Sequence, residues 1–204
     1  MANKVIETTL EKPVRTLGGL DVAYDEESDE LVAALSRFDY PSMQHVASHT
    51  SRGKTAFPYI PGLFSFRELP AVLPLFAEQD RALWPDVIIC DGHGRIHPRR
   101  FGLACHLGVL LDWPVIGCAK NHLCGDWEVP AEPRGSWSPV VMDGETIGAA
   151  LRTQDGVNPI FVSVGNRVTL EEAIEVVLKA SPNYRLPETT RAADAAVRAA
   201  LAKT

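Results

Sequence analysis

The chain reads as one α/β domain over residues 1–204, a mixed sheet flanked by helices, with three antiparallel strands followed by parallel ones. Two observations predict this. The first third alternates apolar and polar residues between short polar turns, the pattern of half-buried antiparallel strands. Beyond residue 86 come short continuous apolar runs separated by helical periodicity, the pattern of strands covered on both faces. A length of 204 residues suits one domain with a sizeable core, and 46% hydrophobic with 23% charged residues excludes a disordered or collagen-like chain.

Taken in order, Leu17–Tyr24, Leu31–Arg37 and His45–Arg52 are expected strands, separated by the turns Asp25-Glu26-Glu27-Ser28-Asp29 and Asp39-Tyr40-Pro41-Ser42. Phe57-Pro58-Tyr59-Ile60-Pro61-Gly62 is a stiff loop, and Leu69, Val72, Leu73 and Phe76 then fall at helical spacing. Val87–Cys90 is a buried strand. Pro98 suits a first helical position, which predicts a helix from there to about Leu111. Pro114–Cys118 is another buried strand, and 125–135 a loop. Asp143-Gly144 between Val140-Val141 and Ile147–Leu151 marks a hairpin. Ile160–Val162 is a further strand. Two helices close the chain, one carrying Leu170, Ile174, Val177 and Leu178, the other opening near Pro187-Glu188.

No apolar run approaches the ~18 residues that span a bilayer, and no apolar signal core follows the first residues. A cytoplasmic protein is expected, with no membrane partner. Cys90, Cys105, Cys118 and Cys124 do not form a disulfide framework in a chain of this length and read as reduced. A net charge of −6 weighs mildly against nucleic acid, whose non-specific binding relies on Lys and Arg. Carboxylates that hold a cation count against that sum, however, while the bound ion reverses the local field.

Asp91-Gly92-His93-Gly94 follows a buried strand directly, and ligands of open α/β sheets bind beyond the carboxyl ends of strands. Asp21 sits within an apolar strand, where a carboxylate is costly unless paired or bound to a cation. Were the first strand to lie beside Val87–Cys90, Asp21 and Asp91 would face each other. Glu68 is a third candidate, near a helix start. The ordinary alternatives are a turn-capping Asp91, a solvent-facing Asp21 and a Glu68 that complements a helix dipole. Hard oxygen ligands of this kind suit Mg²⁺ or Mn²⁺ and phosphodiester hydrolysis. Arg99 and Arg100, after His97-Pro98, would meet a phosphate in a helix's first turn; Lys120 follows a buried strand and emerges on the same edge. Both also read as ordinary surface cations. Tyr59 in its rigid loop could wedge a base stack or simply fill a packed turn. A zinc site from His122 and Cys124 with Cys118 or Cys105 lacks paired ligand spacing.

At these residues the sequence resembles the endonuclease V (deoxyinosine 3′ endonuclease) family. The likeness runs in order through Gly19–Tyr24, Phe57–Gly62 with Phe66-Arg67-Glu68, Asp86–Gly94, His97–Gly102, Ile116–Lys120, Gly135–Ser138, Phe161–Gly165 and Arg185–Arg191, nearly the whole chain. The resemblance implies a ribonuclease-H-like fold and Mg²⁺-dependent cleavage of the second phosphodiester 3′ to an inosine. It implies metal ligation by Asp21, Glu68 and Asp91, and catalysis or phosphate contact by His97 and Lys120. It further implies strand separation by the wedge of Pro58, Tyr59, Ile60, Pro61 and Gly62, with Gly92, His93 and Gly94 beside the substrate. A monomer acting on inosine-containing DNA is expected. Two departures carry expectations of their own. Asn166 stands where relatives carry histidine, which would lower cleavage or leave a protein that binds inosine strands without cutting them. Little sequence precedes the first strand, so an N-terminal support is expected to be missing. An inosine-specific ribonuclease on the same scaffold is a third reading, since sugar preference is not legible in these motifs.

Overall fold

The computed structural model describes residues 2–25, 28–55, 60 and 65–202. Strands β1 (Thr16–Tyr24), β2 (Glu30–Asp39) and β3 (Gln44–Lys54) form the expected antiparallel meander. Helix α1 (Ser65–Val72) stops where Pro74 cannot continue it, and a short α2 (Pro74–Ala77) restarts with that proline in its first turn. There follow β4 (Val87–Asp91), α3 (Leu103–Leu111), β5 (Val115–Ala119), β6 (Asp126–Trp127), β7 (Trp137–Met142), β8 (Glu145–Leu151), β9 (Ile160–Asn166), α4 (Leu170–Ala180) and α5 (Glu188–Leu201). All nine strands join one sheet in the order β3-β2-β1-β4-β5-β9-β8-β7-β6.

Parallel pairing is confined to β1–β4 and β4–β5. The chain leaves β5, runs to the far edge and returns as an antiparallel meander, so β9 meets β5 head to tail. The mixed sheet is thus the expected one, extended by an antiparallel half. The expected helix from Pro98 is corrected: α3 begins at Leu103. Pro98 and Arg99 belong to a turn closed by the Arg100 amide donating to the His97 carbonyl, and Arg100 then takes φ 54°, which no helix continues through.

The centre of the sheet is buried on both faces. One carries Leu20, Leu31, Leu35, Ile88 and Cys90 beneath residues of α1, α2 and α3. The other carries Leu17, Val87, Ile89, Ile116, Val162 and Val164 beneath α4, while Ala193 and Val197 of α5 cover Val32 and Ala34. Helix α4 is fixed by a capping box, Thr169 with Glu172. Glu172 also accepts from the Leu10 amide at 3.0 Å. The Ile6 amide donates to Asn166 Oδ1 at 2.9 Å, and the Arg167 amide to the Ile6 carbonyl at 2.6 Å. The segment before β1 is therefore pinned to the end of β9 and to α4.

Helix α5 reaches the sheet through one missing side chain. A Cβ at Gly19 would run into the carbonyl of Thr189 and lie 2.5 Å from the Thr190 amide nitrogen, backbone atoms that cannot rotate away. Gly19→Ala should therefore lower stability by about 1–3 kcal/mol or more through overpacking. Each kcal/mol shifts the thermal midpoint of a domain this size by about 2–4 °C. An unchanged midpoint by circular dichroism would show that α5 does not rest on β1 as described.

Candidate active site

The register of β1 on β4 sets Leu20 beside Cys90, so Asp21 and Asp91 stand next to each other one residue on, where β4 ends and β1 runs on paired with β2 alone. Asp91 is also level with Cys118 of β5, and Lys120 follows that strand with its ammonium 3.0 Å from Asp91 Oδ2. Glu68 arrives from α1 and is only 3% exposed. The Tyr24 hydroxyl donates to Glu68 Oε1 at 3.3 Å, and the Arg67 guanidinium lies 5.2 Å from the centre of the Tyr24 ring. The three acids singled out in the sequence thus meet at one edge of the sheet.

The sequence reading missed a fourth acid. Asp194 of α5 acts electrostatically on both Asp21 and Lys120. Its pairing with Arg198 one turn on gave it the look of a surface ion pair, with Oδ1 accepting from Arg198 Nε at 3.0 Å. The available signal was its neighbour Ala193, which marks the buried face of the helix beside it.

Crowding these acids perturbs them. Burial, reinforced by the negative charge of Asp91, pushes the Asp21 carboxyl from its ordinary 3.8 up to about 7. Glu68 is raised well above the usual range, chiefly by burial and further by Asp21 and Asp91, against the bond from Tyr24. Burial opposes the charge of Lys120, but the bond to Asp91 and the fields of Asp91, Asp21 and Asp194 prevail and raise its pKa. A buried group of like charges with oxygen donors alone suits a hard divalent cation. As placed, no three His, Cys, Asp or Glu side chains among the described residues close into a metal cage. Lys120 and Tyr24 hold oxygens that an ion would take. The electrostatic coupling of the acids and their incomplete convergence are compatible: the strands bring them together, and side-chain rotation is what closing on an ion requires.

The loop after β4 lies flat on the sheet. Gly92 bridges Cys118, and the Gly94 amide donates to Ser163 Oγ at 2.9 Å. A Cβ at Gly94 would strike the Val164 carbonyl, and one at Gly117 the Gly94 amide, so only glycine lets the loop lie so close. His93 leaves this loop with burial holding its imidazole down to about 4. His97 is buried; its Nδ1 accepts from the Arg99 amide at 3.2 Å, and burial followed by the Arg99 charge lowers its pKa. Both rings are neutral at pH 7. Cys105 and Cys118 are buried, burial pushing the Cys105 thiol up to about 12.

Two expectations are corrected here. Arg99 and Arg100 do not occupy a helix's first turn. Arg99 is exposed on the preceding turn, and Arg100 is committed to Glu145 at 3.3 Å, Asp143 at 3.1 Å and the Met142 carbonyl at 2.9 Å. Asn166 does not line the substrate edge. It pairs with Val115 at the opposite end of β5, is buried, and donates through Nδ2 to the carbonyls of Gly108 at 3.0 Å and Trp113 at 3.3 Å. It is a strut between β9, α3 and the N-terminal segment. Pro58, Tyr59, Pro61 and Gly62 lie outside the described residues, whereas Ile60 is described and is 40% exposed.

A mixed sheet with acids gathered where the pairing of β1 and β4 ends, and helices on both faces, is the ribonuclease-H-like architecture of enzymes that hydrolyse phosphodiester bonds. Within that class, the chain belongs to the endonuclease V family, which it matches over residues 1–195, a family of metal-dependent nucleases. It is 51% identical over 183 residues to endonuclease V of Roseiflexus castenholzii, covering 90% of this chain and 81% of the relative. The crystal structure of Streptomyces avermitilis endonuclease V superposes with a TM-score of 0.93 at 46% identity, covering 99% of this chain and 89% of the other. Ciona intestinalis endonuclease V, solved with a 24-mer DNA containing an inosine followed by a ribo-adenosine, superposes with a TM-score of 0.84 at 28% identity, covering 99% and 93%.

The buried acids make metal-free stability depend on pH. Below about pH 4 the Asp21 carboxyl holds its proton folded or unfolded; between 3.8 and about 7 only the folded chain holds it. Stability therefore falls as pH rises through that window, and above it the folded state carries the full charge penalty. In EDTA at pH 8, Asp21→Asn should raise the thermal midpoint by a few degrees, the gain vanishing toward pH 4; a lower midpoint at pH 8 would contradict the repulsion. Asn166→His is expected to lower stability, since Asn166 packs against Gly108, and to leave nuclease activity no higher. Increased cleavage would return position 166 to the active site.

Proposed function

We propose that the protein is a Mg²⁺-dependent DNA repair endonuclease, with Mn²⁺ able to substitute. It recognises deoxyinosine, the product of adenine deamination, and hydrolyses the second phosphodiester bond 3′ to it, leaving 3′-hydroxyl and 5′-phosphate ends. It works as a single-domain monomer in the cytoplasm. The observation that carries this reading is the placement of half-buried Asp21 and Asp91 side by side where the parallel pairing of β1 and β4 ends, with buried Glu68 coupled to both.

Asp21, Glu68 and Asp91 would hold the cation, with Asp194 adding a fourth carboxylate. An ion held there would offset negative charge on the phosphate oxygens and lower the pKa of a water. Lys120 is charged and already directed into the acid cluster, so it can turn from Asp91 to a phosphate oxygen and offset charge as it builds. The buried neutral ring of His97 offers a hydrogen bond beside Arg99, which is exposed for phosphate contact. The flat loop Gly92-His93-Gly94 leaves room for a base turned out of the stack, a move that costs least at a weak pair. Tyr59, with Pro58, Ile60, Pro61 and Gly62, is assigned to separating the strands. The Ciona relative's inosine-containing DNA supports the substrate. Because that strand carries a ribo-adenosine after the inosine, RNA belongs in the test as well. A binding-only role rested on Asn166, and its place on the far edge removes that ground.

Labelled inosine DNA should be nicked with Mg²⁺, left intact with EDTA, and nicked at least about 10²-fold more slowly by Asp91→Ala, the scale of removing one charge-stabilising group. Matched inosine RNA in parallel reads sugar preference. Full activity in Asp91→Ala would overturn the assignment of the acids.

A further inference from the structure

Directly beyond Lys120, the residues that follow β5 build an aromatic cluster to which the mechanism above gives no role. Trp127 of β6 packs edge-on against Phe161 of β9, ring centres 5.1 Å apart. His122 sits on both, 5.4 Å from Phe161 and 6.1 Å from Trp127. Phe161 is buried in a small core with Ile96, Val140 and Ile147, so it anchors the group. Trp127 is half-buried and His122 exposed, and Leu123 beside them is 49% exposed. The cluster thus grades from a fixed floor to an open aromatic face. The backbone of Asn121, next to His122 in the chain, hydrogen-bonds His93, and His122 acts on the same ring electrostatically, which ties that face to the loop leaving Asp91. It adjoins both the cation that would meet a phosphate and the loop that would meet a turned-out base.

We propose that His122, floored by Trp127 and Phe161, is a stacking platform for the base adjacent to the turned-out inosine on the cut strand. The inference rests on the proposed function. Turning one base out leaves the neighbouring base with an uncovered π-face, and an aromatic ring next to the site replaces the lost stack. Every base has such a face, so the platform accepts any neighbour and leaves selection to the inosine site. A ring whose role was only to close the small core would be covered; this one is exposed and stands two residues beyond Lys120.

The test measures binding of the full chain, in Ca²⁺ to suppress cleavage, to fluorescent inosine duplexes. The neighbour of inosine is intact, or replaced by an abasic sugar on the 5′ or the 3′ side. Wild type should lose roughly tenfold in affinity when one of the two neighbours is abasic. His122→Ala should lose as much on the intact duplex and nothing further on that abasic one, while His122→Phe restores wild-type behaviour. Thermal midpoints of the variants are read alongside. A lower midpoint in His122→Ala with no dependence on the neighbouring base overturns the platform and leaves a packing role. So does an abasic penalty identical in wild type and His122→Ala. If wild type does not prefer inosine duplex over unmodified duplex, the proposed function fails and takes this inference with it. If that preference is intact but neither abasic duplex is penalised, only the platform fails.

Discussion

The pairing of β1 with β4 is the constraint on which the site depends. Parallel register puts Asp21 and Asp91 at the same height on neighbouring strands, where β4 ends and β1 loses that neighbour. Two like charges so placed and partly desolvated oppose the fold that creates them, and Glu68 enters the same low-dielectric region from the other face. Nothing in the acids favours this arrangement. It is imposed by the apolar residues behind them, Leu17 and Leu20 against Val87–Cys90, whose burial on both faces fixes which strands pair and in what register. The strain at the edge is the property a cation binder needs, since the ion's arrival removes a repulsion as well as adding ligands.

The rest of the molecule holds that edge in place from behind. Helix α5 meets β1 at Gly19 and thereby brings Asp194 toward Asp21, so an invisible contact, a side chain that is absent, sets the position of a charged one. At the opposite edge, Asn166 ties Ile6, Gly108 and Trp113 together, and Glu172 caps its own helix while holding Leu10. Buried, fully engaged polar groups of this sort rigidify the elements they join. The two ends of the sheet therefore differ in kind, one crowding carboxylates against one another, the other tying each polar group to a partner on another element.

That difference explains what was legible in the sequence. The strands, most helices and the three acids were readable because each follows from local pattern: alternation, apolar runs, a carboxylate where an apolar residue belongs. The start of α3 was misread because Pro98 fits a first helical turn equally well as a tight turn, and the left-handed Arg100 that decides between them leaves no compositional mark. Asp194 was hidden because its spacing to Arg198 satisfies a surface reading completely. The salt bridges that commit Arg100 to Glu145 and Asp143 join segments more than forty residues apart and cannot be seen in a window.

Asn166 shows the deepest limit. Reading chemistry from residues that follow a buried strand assumes that all strands point the same way, because only then do their carboxyl ends share an edge. It fits β4 and β5, whose carboxyl ends lead to Asp91 and Lys120, and Asp21 stands beside Asp91 from within β1. Strand β9 runs against β5, so its carboxyl end lies beside Val115 and not beside Cys118. The residue at that end is then bound to be structural, whatever its side chain could do chemically. The same reversal works in the other direction: the amino end of β9 lies at the substrate edge, and Phe161, which no motif marked as more than a core residue, is placed beneath His122 and beside the candidate active site.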